Sequence, residues 1–148
     1  MDLAIESCVG ARLSPVVVVL GAVWLTPMPR ADGLAGHGTE IWLVENADWA
    51  TGLASSVRAG LDALAAEPGV DAVIITLVDT VSVGREHLLR ISSALREGAT
   101  AAAATYLGDP RNPVGLAREV WADVDRTIEG DQGVRLWLRA NPRSRANA

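Results

Sequence analysis

The chain has 148 residues, enough for one domain with a real core, and 49% hydrophobic with 21% charged residues is a globular rather than a disordered composition. A net charge of −5 excludes a general nucleic-acid binder, which needs a basic face for phosphate backbones, but leaves room for a small anionic substrate held by a few arginines or backbone N–H groups. The lone cysteine, Cys8, excludes an internal disulfide and a zinc cluster; no stretch reaches membrane-spanning length, and residues 1–14 carry early acids without a long apolar run, so a protein with no signal peptide in a reducing cytoplasm is expected.

Residues 1–13 read as an amphipathic helix with Met1, Ile5, Cys8, Val9 and Arg12 along one face. The residue before a proline disfavours the α region, so Ser14-Pro15 ends it. Residues 16–20 are a β-branched strand closed by Gly21. Residues 23–38 hold Pro27, Pro29, Gly33, Gly36 and Gly38 and read as a loop, with one degraded helical turn over 31–34. His37 lies there without a second ligand nearby, a solvated loop histidine rather than a metal ligand. Residues 40–45 form a short strand. Residues 53–66 form a strong helix with Leu53, Val57, Leu61 and Leu64 inward, stopped by Pro68-Gly69.

The start of that helix has a chemistry of its own. Thr51-Gly52 precedes it, and Ser55, Ser56 and Arg58 lie in its first turns. Glycine lets a ligand approach the backbone closely. A helix start attracts anions through free N–H groups and its dipole. The two hydroxyls and the arginine fork suit phosphate or carboxylate. The plainer reading is that Thr51 or Ser55 caps the helix and Arg58 is a solvated charge.

Residues 72–78 are almost continuously apolar and β-branched, which suits a strand covered on both faces, as in the middle of a parallel sheet. The run ends at Asp79. In open α/β sheets ligands sit outside the carboxyl ends of the strands, and an acid there can hold Mg²⁺ against phosphate oxygens. The plainer alternative is a turn or cap before the next helix. That helix spans about residues 84–97, with Leu88, Ile91 and Leu95 inward and His87 one position off the stripe, partly buried rather than catalytic. Residues 101–106 and 114–116 read as strands around a turn at 108–113. Residues 118–124 and 134–140 are helical, and the polar residues 141–148 are expected to fray.

Residues 46–61, Asn-Ala-Asp-Trp-Ala-Thr-Gly-Leu-Ala-Ser-Ser-Val-Arg-Ala-Gly-Leu, resemble a signature of the MobA-like nucleotidyltransferases, a family that includes the enzymes that join a CMP or GMP unit to molybdopterin. Leu77-Val78-Asp79-Thr80 resembles the next signature, a buried strand ending in a metal-binding aspartate. Arg111-Asn112-Pro113-Val114 and Gly130-Asp131-Gln132-Gly133-Val134-Arg135 resemble segments on the side of the second substrate. The likeness runs over about residues 1–142.

It implies a three-layer α/β/α sandwich with a mostly parallel, Rossmann-like sheet, in one domain with a flexible tail at 143–148. It implies nucleotidyl transfer from CTP or GTP to a phosphorylated acceptor such as molybdopterin, with release of pyrophosphate. Asp79 would carry Mg²⁺; Gly52, Ser55 and Ser56 would line the nucleotide pocket, and Arg58 would contact a phosphate. The family opens with a strand, a glycine-rich loop bearing arginine and a lysine, which nothing before Val16 matches. Its last strand and second metal-binding aspartate are likewise unmatched, and Val81 stands where proline is usual. Little or no turnover is therefore expected, and an uncovered sheet edge would favour self-association. A non-catalytic relative that binds a nucleotide or a protein partner is the alternative.

Overall fold

The computed structural model describes residues 2–22, 38–80, 82–142 and 145–147. The loop reading of 23–38 lies outside them except at Gly38, and so do His37 and Val81.

Helix α1, Asp2–Gly10, is shorter than its sequence pattern because Arg12 turns into the left-handed region at φ 57°. Ile5 and Val9 bury against Val18 and Leu20 of strand β1, Val16–Leu20. Strand β2, Ile41–Glu45, runs parallel to β1 from Val16↔Ile41 to Leu20↔Glu45. A 3-10 turn at Trp49–Thr51 leads through Gly52 into helix α2, Leu53–Ala65, whose Ala54, Val57, Leu61 and Leu64 are buried at helical spacing.

Strand β3 covers only Ala72–Ile75. The apolar run continues to Val78, but the chain already turns there: Thr80 N–H donates to the Leu77 carbonyl at 3.3 Å, and Val78 is 62% exposed. Helix α3, Arg85–Arg96, follows with Leu88 and Ile91 buried. Strands β4, Ala101–Tyr106, and β5, Asp109–Ala117, form a hairpin about Leu107-Gly108. The turn expected over 108–113 is thus mostly strand. Pro113 lies where the β4–β5 register slips after Ala103, a place where a missing N–H does little harm, while Pro110 stands opposite Thr105 near the end of the hairpin.

Helices α4, Trp121–Thr127, and α5, Arg135–Ala140, complete the chain with strand β6, Arg145–Asn147. The tail was expected to fray; instead β6 pairs in parallel with β4, Ala101↔Arg145 to Ala103↔Asn147.

The strands form two sheets, β1-β2 and β3-β5-β4-β6. β3 therefore pairs antiparallel with β5, not with a parallel neighbour. On one face α2, α4 and α5 share a core in which Leu61, Leu64, Val124 and Trp137 meet Val114 and Leu116. On the other, α1 covers β1 and α3 covers β5. Gly115 makes room for α3: a Cβ there would overlap Ile91 and stand 2.7 Å from Leu95 Cδ1. Ala101, Ala102 and Ala103 are wholly buried, so small side chains allow the layers to close over β4. The result is the expected α/β/α sandwich.

Candidate functional site

Asn46 follows β2 and organises the start of α2. It is buried, 5% exposed, and its amide is nearly saturated. Nδ2 donates to Ser55 Oγ at 2.8 Å and to Ser56 Oγ at 3.0 Å, while Oδ1 accepts the Asp48 N–H at 3.0 Å. Ser55 Oγ in turn has two carbonyl acceptors within reach of its one proton, Asp48 at 3.0 Å and Gly52 at 2.8 Å. The short side chains bind the 46–52 turn to the helix in place of the backbone bonds a strand or helix would supply.

Gly52 has φ 115° and ψ 176°, a region open essentially to glycine alone. The space beside it is filled: a Cβ would lie 2.5 Å from the Gly130 carbonyl carbon, 2.7 Å from its oxygen and 2.9 Å from Asp131 Oδ1. That Asp131 oxygen accepts the Leu53 N–H at 3.3 Å. The first free donor of α2 thus meets a carboxylate of the chain itself, favourable beside the positive helix end.

Gly52, Ser55 and Ser56 are therefore brought together, with Asn46 and Asp131 as partners. Arg58 is directed elsewhere. Its Nε donates to Asp125 Oδ1 at 2.7 Å, and its terminal nitrogen to the carbonyls of Asp125, 2.9 Å, and Ile128, 2.5 Å, at the end of α4. Sequence reasoning quoted Asn46 and Asp131 within motifs but gave neither a contact. A buried amide between a strand end and a Ser-Ser pair was the available signal for Asn46. Nothing local could place Asp131 beside residue 53.

Asp79 lies beyond β3 and is exposed, and among the described residues it has one weak partner, the Thr80 hydroxyl at 3.5 Å from Oδ1. The residues just before it, Leu77 and Val78, line a cavity of about 720 Å³ together with Leu53 and Ser56 of α2. The strand tip and the helix start thus share one cavity. Among the described residues no group of three or more His, Cys, Asp or Glu gathers as a metal cluster. One exposed carboxylate in the turn after a strand still fits Mg²⁺, which keeps waters and is held by one or two carboxylates plus substrate phosphates.

His87 is exposed, not partly buried; its Nδ1 accepts the Gly84 N–H at 3.3 Å and so caps α3. Burial pushes the Cys8 thiol up. The Asp123 carboxyl is held below its ordinary range, first by the Trp137 indole N–H, 2.6 Å from Oδ2, then by Arg126. No helix among the described residues is long and apolar enough to cross a membrane.

The model of the MobA-like NTP transferase domain matches residues 1–146. Among curated proteins none matches the chain by sequence. Among solved structures, Rv0371c from Mycobacterium tuberculosis H37Rv is 20% identical with a TM-score of 0.74, over 99% of this chain and 72% of that one. Its complex with manganese gives 18% identity and a TM-score of 0.68, over 99% and 74%. A nucleotidyl transferase from Methanothermobacter thermautotrophicus gives 18% and 0.69, over 99% and 68%.

Proposed function

The chain belongs to the MobA-like NTP transferase domain family, and from that premise we propose that it is a cytoplasmic nucleotidyltransferase domain. It takes CTP or GTP and passes the CMP or GMP unit to the phosphate of an acceptor such as molybdopterin. The acceptor oxygen forms a bond to the α-phosphorus, the bond from that phosphorus to the bridging oxygen breaks, and pyrophosphate leaves. The observation that carries the reading is Asp79, an exposed carboxylate in the turn after β3, directly after two residues that share a cavity with Ser56. Asp79 would hold Mg²⁺, which when bound neutralises charge on the phosphates. Gly52, Ser55 and Ser56 form the nucleotide side, held in shape by Asn46 and Asp131. Arg58 positions α2 on α4 instead of touching phosphate.

Nucleotide binding with Mg²⁺ present, followed by calorimetry with CTP and GTP, tests the reading alongside pyrophosphate release with molybdopterin added. Metal-dependent binding should weaken about tenfold or more in Asp79→Asn, the usual scale for a lost ligand or its support. Equal affinity in wild type and variant would remove Asp79 from the site.

A second reading is favoured by one observation: Asp131 already occupies the start of α2 and Arg58 is bound to Asp125. In that case the domain binds a nucleotide or a protein partner without turning over. Metal-dependent nucleotide binding without pyrophosphate release separates it from the first.

A further inference from the structure

Helix α1 closes on a residue that its geometry does not favour. The Arg12 N–H donates to the Val9 carbonyl at 2.9 Å and the Leu13 N–H to the Cys8 carbonyl at 3.1 Å, the paired bonds that close a helix when the residue after it turns left-handed. That place is normally a glycine, because a Cβ disfavours positive φ. Here it holds Arg12, at φ 57°. The two backbone bonds therefore fix an arginine, against its own preference, beside a second cavity of about 520 Å³.

This cavity lies at the amino ends of β1 and β2. Ser14 and Thr39, which precede the two strands, line it together with Glu6, Val9 and Gly10 of α1. Among the described residues it shares only Ser14 with the cavity of about 720 Å³. Asn46, Gly52 and Ser55 stand beyond the other end of β2, a strand about 17 Å long. Thr39 is 7% exposed, and among the described residues its hydroxyl has no hydrogen-bond partner. No wholly enclosed side-chain oxygen there lacks a partner, so this hydroxyl opens on the cavity that Thr39 lines. Ser14 Oγ accepts the Glu40 N–H at 3.2 Å, which leaves its proton to donate. Arg12 and Glu6 are exposed and form no ion pair among the described residues. Arg12, Ser14 and Thr39 thus make one end rich in donors. Glu6, six residues before Arg12 and about 9 Å away by helical rise, offers acceptors only.

We infer that this cavity is a binding site for a short zwitterion of dipeptide size, its carboxylate held by Arg12, Ser14 and Thr39 and its ammonium by Glu6. An arginine fork meets a carboxylate with two parallel bonds, and the hydroxyls answer its remaining lone pairs. A phosphate would face the Glu6 carboxylate as a like charge, and a bare cation would leave Arg12 and Thr39 without an acceptor. In a free α-amino acid both charges sit on one carbon and cannot serve both ends. The termini of an extended dipeptide stand about 7 Å apart, which matches the span from Glu6 to Arg12 once their side chains lean inward. Val9 supplies an apolar wall for its side chains. The inference does not depend on nucleotidyl transfer.

The test is an NMR titration of the full chain with the dipeptide Gly-Val, with its N-acetylated and C-amidated forms, and with inorganic phosphate. Gly-Val should shift the amides of Glu6, Ser14 and Thr39 and leave those of Gly52 and Ser55 in place. It should bind about tenfold or more tightly than either blocked form, the scale of one lost hydrogen bond to a charged group. Arg12→Gly removes the guanidinium but suits the backbone at that place, so the variant should keep or raise the midpoint of thermal unfolding and still weaken Gly-Val about tenfold or more. Thr39→Val, which keeps the shape of the side chain, should weaken it as well. Equal binding of phosphate or of the N-acetylated form would overturn the zwitterion and reduce the site to an anion contact. Equal binding of the C-amidated form would leave Arg12 without a part in it. Unchanged affinity in Arg12→Gly, or no shift at the three amides, would overturn the inference outright.

Discussion

At Gly52 two demands fall on one residue. The backbone must hold φ 115° with ψ 176°, and the Gly130 carbonyl must pass where a side chain would stand. An alanine there meets strain and overlap together. Gly52→Ala should lower unfolding free energy by about 3 kcal/mol, measured by urea denaturation. A loss below about 1 kcal/mol would mean the 130–131 turn moves aside freely. The sequence made Gly52 legible as a close-approach glycine, but for a ligand; what approaches in the structure is Gly130 and Asp131. Ser55 and Ser56 were likewise read as hydroxyls free for phosphate, whereas both receive the Asn46 amide. Local composition shows which groups can bond. It does not show which long-range partner reaches them first.

Elements were more legible than their contacts, because periodicity is a local property. The helices at 53–65, 85–96 and 135–140 and strand β1 fell close to their expected spans, since apolar residues recur at three and four or run unbroken, whereas the helix expected over 118–124 is Trp121–Thr127. Misread segments had signals that two structures share: the prolines of β5 resembled a turn, and the polar end of the chain concealed β6. Arg58 shows the same limit at a junction of helices. It ties α2 to the end of α4 through Asp125 and two carbonyls. The ion pair is half-exposed and contributes little alone, but the carbonyls lose a charged donor when it goes. Arg58→Ala should therefore cost about 1 kcal/mol of stability and leave nucleotide affinity within about twofold. A variant of full stability with lost affinity would return Arg58 to the phosphate.

The α4–α5 contact carries a pH signature. The Trp137 indole, then Arg126, holds the Asp123 carboxyl below its ordinary range. Its contribution to stability is complete above that range and drains as pH falls to the depressed value. The midpoint of thermal unfolding should fall between about pH 5 and pH 2 more steeply in wild type than in Asp123→Asn. Parallel slopes would show that the indole bond makes no difference to the carboxyl.

For the whole molecule, the break between the two sheets divides the stability as well. β1 and β2 rest on a small core of Ile5, Val9, Val18 and Leu20, whereas β3 to β5 share the large one built around Leu116, Val124 and Trp137. Backbone bonds from β1 reach β2 alone, so no ladder among the described strands ties the smaller unit to the larger. Side chains still cross: Val17 and Trp42 pack on the large core, and α2 lies over both units. Dispersion and burial across that seam are weaker restraints than a continuous ladder with its buried N–H groups satisfied. The smaller unit should therefore open first. Under native conditions the amides of Val18 and Leu20, although bonded to β2, should exchange with an opening free energy at least about 2 kcal/mol below those of Leu116 and Ala103. Equal opening energies would show that α2 alone couples the two sheets, and that their separation carries no cost in cooperativity.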